Sequence, residues 1–473
     1  MSEKLYKCEC CHREFDEEEY QMTLDKNKCI FHCRKNLNNN WLVNEIYEKN
    51  YHLQDDYENA KVRWNQHYIR LFWKKFIDDL SVQQNDIEIE NYIFPIYWIL
   101  QYQHDSILNT IKDKKIRFNN CVFLDYIFLE NQKIEKVEIK RFSFINGCKF
   151  KKSINFDGLN FIDGITILNS NFENKLNFFN CNFNYLFEIV NSCLNELNLI
   201  NIKTQKSIEI NYNLEKSFNL NIYSVNINEL KISGNNLNDL MFQSSKIKKL
   251  HIDDNHHKLI NYIFNKIEIS EKSEIDNLIL DNVKVNEYLL LDTYLKEKST
   301  MIKSKFAKTF FNNIKFSGIT DFSEAEFSDN VNFKLCLFGE VLFRKTKFLK
   351  GLDFSNSSFY KRNIFLGIEV NTTNRETARI IKNSFEQQNN IIEANKFYAL
   401  EMKEREKELS WKNDFFEKLI FSFHGLSSNH SQNWLLPIFW IVFFGLLNSY
   451  FQPLNFYTMN YVDVLYKEFF VGL

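Results

Sequence analysis

The sequence predicts a mainly β fold, a solenoid whose coils are square in section, with helical segments on either side. Three observations predict it. Large apolar residues recur at every fifth or sixth position through much of the chain. Phenylalanine is unusually abundant, 47 of 473 residues, so a large ring area must be buried together. Small residues stand two places before many of those rings, at Cys121, Cys148, Ser170, Cys181, Ala325, Cys336, Thr346 and Ser357. Five is neither the helix period nor the strand period: a helix would scatter the rings round its circumference, and a flat strand would wet alternate ones. A square coil with about five residues per side points one residue per side inward.

The rhythm runs from Phe118 through Phe123, Phe128, Phe144, Phe150, Phe156, Phe161, Phe172, Phe178 and Phe183 to Leu199. It weakens, returns in aliphatic form from Ile222 to Ile252, and becomes regular again from Phe311 to Phe365. The weak stretch between about 200 and 310 has room for insertions or a bend. The small residues, cysteines included, fit inward-facing corners where the wall leaves little space.

Ser323-Glu324-Ala325-Glu326-Phe327 and Ser355-Asn356-Ser357-Ser358-Phe359 carry the small-x-Phe core of a known motif. On these residues the chain resembles the pentapeptide-repeat family in a degenerate, Phe-centred form. That resemblance implies a right-handed quadrilateral β-helix over 118–370. At about 20 to 22 residues per coil and 4.8 Å per rung, it would hold roughly 11 coils in a rod about 50 to 55 Å long.

Net charge is −2 with pI about 6.6, which gives no reason to expect bulk attraction to nucleic acid. Glycine (11) and proline (3) are scarce, which disfavours flexible linkers and glycine-built phosphate loops. The opening MSEKLYKCECC lacks the apolar core of a signal peptide, so a reducing setting and unpaired cysteines are expected.

Residues 1–40 read as a zinc knuckle. Cys8-x2-Cys11 and Cys29-x2-His32 offer two short chelating pairs and four N/S donors, a set that suits tetrahedral zinc. Cys33 is an alternative to His32 as the fourth ligand, and Cys10 reads as a bystander. With all four positions filled by protein, the role is structural, and metal would supply the folding energy of so short a segment. Residues 41–117 read as a helical N-terminal cap, with a helix over Ala60 to Leu80 whose stripe is Trp64, Tyr68, Leu71, Phe72 and Phe76.

After the rhythm stops, Thr373-Asn374-Arg375-Glu376 reads as a capping box that opens one long helix to about Leu409. An interfacial amphipathic helix follows within 373–425, built on Trp411, Phe415, Phe416, Leu419, Ile420 and Phe423. The uncharged stretch 434–451 is expected to be a transmembrane helix, flanked by Trp434 and Tyr450, with 452–473 as a short tail. Basic residues lie mostly upstream of it, which predicts a single pass with the solenoid inside. The stretch from Thr377 to Asn433 resembles the tail of a bacterial subgroup of the family, in which such tails lead into membrane helices or a pore. That implies the bacterial inner membrane. No selectivity-filter sequence or second full span accompanies it.

No Walker loop, G-x-G-x-x-G, H-E-x-x-H or G-x-S-x-G is present. The expected function is a membrane-anchored, non-enzymatic scaffold for an unidentified protein partner. No catalytic residue, no organic cofactor and no small-molecule substrate is expected; structural zinc is the one cofactor. The alternatives are the cytoplasmic domain of a channel-like or sensor protein, and a zinc-dependent nucleic-acid binder or DNA mimic.

Overall fold

A computed structural model describes residues 4–23, 27–44, 62–83, 86–97, 109–130, 137–212, 217–234, 237–253 and 262–451. The chain divides into two compact units: Met1–Leu349 with Asn356–Glu369, and Lys350–Ser355 with Val370–Leu473.

The first unit is a parallel β-solenoid. Ile87, Ile116, Phe142, Ile165, Phe187 and Ile208 stand one above the next in one ladder. The same ladder continues through Leu230, Leu250, Leu278, Ser299, Thr320 and Val341. Steps are 20 to 23 residues over most of its length, as from Leu230 to Leu250 and from Phe142 to Ile165. Wider steps separate Ile87, Ile116 and Phe142, and also Leu250 from Leu278. The last of these contains 254–261, which lies outside the described residues.

The phenylalanines stack in columns inside the coil. In the later turns there are four columns, one per side of a square. They are Phe306–Phe327–Phe348 (centroids 5.2 and 4.9 Å), Phe311–Phe333 (4.5 Å), Phe316–Phe338–Phe359 (4.9 and 4.7 Å) and Phe322–Phe343–Phe365 (5.0 and 5.4 Å). Rings of adjacent columns meet edge to face, as Phe333 and Phe338 do at 5.4 Å and 68°. That combination satisfies the aromatic quadrupole both along and across the coil. The small residues before the rings are interior, as expected: Cys121, Cys148, Cys181, Ala325, Cys336 and Thr346 are all buried.

The centre is regular where the sequence looked weak. Lys203–Tyr212 pairs along part of its length with Asn182–Phe183 and along the rest with Phe187–Val190. One strand therefore covers two sides, and a register shift between Thr204 and Ser207 marks the flattened corner. These sides separate again where Leu337–Leu342 pairs with both Ser358–Phe359 and Asn363–Ile364. Buried Ile208, Ile210, Leu230 and Ile232 fill this core in place of rings. Gly318 lies at another shift, between Phe316 and Ile319, where a Cβ would sit 1.4 Å from the Glu297 carbonyl oxygen.

Asparagine turns many of the corners. Asn91, Asn120, Asn146, Asn169, Asn180, Asn191 and Asn201 all have φ between 48° and 60°. Asn tolerates this left-handed conformation because its short amide bonds locally. Here the amides also bond between turns, Asn120 to Asn91 at 2.7 Å and Asn201 to Asn180 at 2.6 Å. The scarcity of glycine thus coexists with sharp corners.

The solenoid begins earlier than 118. Asp86–Glu90 already pairs in parallel with Lys115–Asn119, and Ile93–Phe94 with Val122–Phe123, so these strands of the expected helical cap 41–117 belong to the first turn. Its described helix, α2, spans Gln66–Val82, capped by Asn65, while Trp64 belongs to a short strand. The buried face of α2 is Ile69, Phe72, Trp73, Phe76 and Leu80, rotated from the expected stripe. The first helix, α1, is Glu17–Thr23.

The second unit contains four described helices: α3 (Arg375–Gln387), α4 (Ile391–Glu408), α5 (Phe415–Ser428) and α6 (Leu435–Phe451). The expected single long helix is a hairpin of two. Asn389 takes a left-handed φ of 55° and Asn390 caps α4 through the Glu393 N–H, so consecutive asparagines end one helix and start the next. Phe385 stacks on Phe397 at 5.7 Å, and buried Glu401 binds Arg379 and Lys382, each at 2.9 Å.

The expected transmembrane helix 434–451 is also corrected. Its described part, Leu435–Phe451, has 17 residues and ends where the described residues end. Among the described residues no helix is long and apolar enough to cross a membrane.

Candidate metal centre

The N-terminal segment has little core of its own, so its placement depends on polar anchors. Tyr6–Lys7 pairs antiparallel with Glu14–Phe15, which brings Cys8 and Cys11 to one end of a hairpin. The turn from Cys29 to Cys33, held by Cys33 N–H to the Cys29 carbonyl at 3.0 Å, presents Cys29 and His32 together. Glu19 of α1 is fully buried and accepts from the Ile30 N–H at 2.8 Å. Lys75 of α2 donates to Glu19 at 2.8 Å and to Asp16 at 3.2 Å. Lys75 is therefore engaged in holding α2 to the knuckle.

Sγ of Cys8, Cys11 and Cys29 and one ring nitrogen of His32 lie within 4.8 Å of one another. Cys8 Sγ is 3.7 Å from His32 Nδ1, Cys11 Sγ is 3.7 Å from Cys29 Sγ, and Cys29 Sγ is 3.2 Å from Nδ1. A tetrahedron with zinc–sulfur bonds of about 2.3 Å has edges of about 3.7 Å, so the donor set fits such an ion. His32 Nε2 is 3.1 Å from the Glu90 carbonyl oxygen. With Nε2 donating there, Nδ1 is left as the ligand, the usual outer-shell arrangement of a metal-bound imidazole. The Cys8 sulfur accepts from the Cys29 N–H at 3.3 Å.

Cys11 and Cys29 behave as a pair. A hydrogen bond from the Cys29 thiol draws the Cys11 pKa down to about 3. The same bond, followed by burial, pushes Cys29 up. Without a cation the two sulfurs favour a single charge; a dication would release the remaining proton.

The residues open to choice separate clearly. Cys33 is buried but its thiol donates to the Ile30 carbonyl at 3.6 Å, and Cys10 is exposed. Neither joins the four-donor group. Sequence reasoning missed Glu19 and Lys35. Lys35 is buried, lies 4.8 and 5.0 Å from the ring centres of Trp41 and Phe72, and donates to the carbonyls of Ile30 (3.0 Å) and Cys33 (3.3 Å). Nothing in the spacing of a charged residue among ligands marks it as interior.

Comparison with known proteins bears on the solenoid. A family model described as pentapeptide repeats (9 copies) matches residues 311–358. Those residues hold much of the four-column stretch described above. No curated protein and no solved structure gives a match.

Proposed function

Since the chain belongs to the pentapeptide-repeat family, we propose that it is a non-catalytic scaffold, braced at one end by structural zinc and attached to lipid through its last two described helices. The observation that carries the scaffold reading is the filled interior. The rings stack at van der Waals separation through the later turns and leave the outer faces of the sides for contact with a protein partner. The zinc reading rests on the four-donor geometry, with Cys8, Cys11, Cys29 and His32 as ligands. Bound there, a divalent ion supplies folding energy.

Attachment to lipid is supported by α5 and α6. Phe416 is 77 % exposed and Trp434 74 %. In α6, Leu435, Ile438, Phe439, Ile441, Val442, Phe444 and Leu447 are exposed on every side, and the helix carries no charge. A helix apolar all round calls for an apolar medium. Lys412 and Lys418 then lie at the headgroups, and the distribution of basic residues upstream puts them on the cytoplasmic side.

Flotation of the full chain with anionic liposomes tests this. The wild type should float, and a Phe416→Glu, Phe439→Glu, Phe444→Glu variant should stay in the aqueous fraction. A wild type that does not float overturns the attachment. Zinc analysis of the same preparations tests the metal, with one ion per chain expected.

A further inference from the structure

We propose that Lys35 is the counter-cation of the metal centre, matched to a divalent ion held by three thiolates and one neutral imidazole. The proposal rests on the zinc reading above and extends it to the charge the site must carry.

Most of the charges buried or half-buried between the knuckle and α2 pair. Asp16 and Glu19 face Lys75, at 3.2 and 2.8 Å, and Arg13 approaches Glu19 at 3.8 Å while remaining partly open to solvent. Lys35 is the exception. It is buried, its ammonium contacts carbonyl oxygens and two aromatic rings, and no carboxylate partners it among the described residues. An uncompensated buried cation is strongly unfavourable. Burial accordingly lowers its pKa, and the nearby Cys33 and Cys29 oppose that shift.

Three thiolates and a dication sum to one negative charge. The carbonyls that Lys35 grips belong to Ile30 and Cys33, the residues that follow Cys29 and His32 directly. The ammonium is thus fixed to the ligand turn itself. Charge closes to neutrality with a divalent ion, three thiolates and the Lys35 ammonium. Lys35 is a positioning and balancing residue; it is not a ligand.

The test is zinc affinity of the full chain, by competition with a chromophoric chelator, for the wild type, Lys35→Met and Lys35→Gln. Both variants should bind zinc roughly 10- to 100-fold more weakly, the usual effect of losing an outer-shell partner. In the metal-free chain, amide exchange over Phe31–Lys35 should be unchanged in the variants, because the negative charge that Lys35 offsets belongs to the loaded site. A packing role would weaken metal binding and metal-free protection together, and that result overturns the proposal. Equal zinc affinity in wild type and variants also overturns it while leaving the zinc reading intact. A wild type that binds no zinc removes both. Should Lys35→Met fail to fold, Lys35→Gln, which keeps the polar contacts, decides the question.

Discussion

Tyr288→Phe should stabilise the solenoid. Tyr288 is fully buried in the coil, stacked on Phe306 at 5.1 Å and edge-on to Phe311 at 5.7 Å, and its hydroxyl has no hydrogen-bond partner among the described residues. A buried hydroxyl without a partner costs about 1–3 kcal/mol. Deleting the oxygen forfeits a few dispersion contacts of about 0.1–0.2 kcal/mol each. The balance is a gain of roughly 1–2 kcal/mol, a factor of about 5–30 in a local opening equilibrium. Local measurement is appropriate because each turn of a solenoid is held mainly by its neighbours. Hydrogen exchange of the Leu289, Leu290 and Phe310 amides should therefore slow by that factor at neutral pH. The alkaline limb gives a second arm. Burial pushes the Tyr288 phenol well above its ordinary value, so the folded state keeps it neutral while the unfolded chain ionises. Its stabilising contribution is complete below about pH 10 and falls as pH rises further, by up to about 1.4 kcal/mol per unit. The advantage of the Phe variant should widen over that range. Exchange that is faster in the variant, or an advantage that stays flat above pH 10, would refute the reasoning and give the hydroxyl a partner.

Phe338→Ala removes a ring stacked on both sides, at 4.9 and 4.7 Å, and should cost about 3–5 kcal/mol locally, read as faster exchange in the turns that contain Phe316 and Phe359. Gly318→Ala drives a Cβ onto the Glu297 backbone and should cost at least the roughly 1–3 kcal/mol of an overpacked core, measured by urea unfolding. Cys8→Ser with Cys11→Ser should abolish bound zinc in elemental analysis, whereas Cys10→Ser should retain it. Chelation of the wild type should accelerate exchange at Ile93 far more than at Phe333, since Ile93 bonds the knuckle directly.

The Phe-rich turns were legible because one inward ring per side leaves a five-residue mark on the sequence. The centre was less legible because aliphatic residues fill the same core, and long strands such as Lys203–Tyr212 cover two sides without a sharp corner. A further signal was available but unread. Asn directly precedes the small interior residue in Asn120-Cys121, Asn169-Ser170, Asn180-Cys181 and Asn356-Ser357, and it supplies the left-handed corner. The first turn hid because its steps are wide, so Ile87 and Ile116 show no short period. The knuckle ligands were readable from spacing, but the His32 to Glu90 bond spans 58 residues and leaves no local trace. The helix break was written in Gln388-Asn389-Asn390, where an absence of Gly and Pro concealed two capping asparagines.

The knuckle and the first turn explain each other. A solenoid exposes a row of unpaired backbone groups on its first turn, an edge open to further pairing. Here the Ile93 N–H donates to the Phe31 carbonyl at 2.8 Å, and the Glu90 carbonyl accepts from His32. Phe31 stacks on Tyr92 at 4.6 Å, and Phe94 opens the ring column that continues to Phe123 at 4.6 Å. The ligand turn thus occupies hydrogen-bonding and stacking positions that a preceding coil would fill. It is too short to bury a core, and a metal can hold its shape where packing cannot. One residue, His32, then serves both ends of the argument: its Nδ1 faces the sulfurs and its Nε2 fastens the edge strand. On the proposed zinc reading, metal loading and order in the first turn are coupled through that ring and through Phe31.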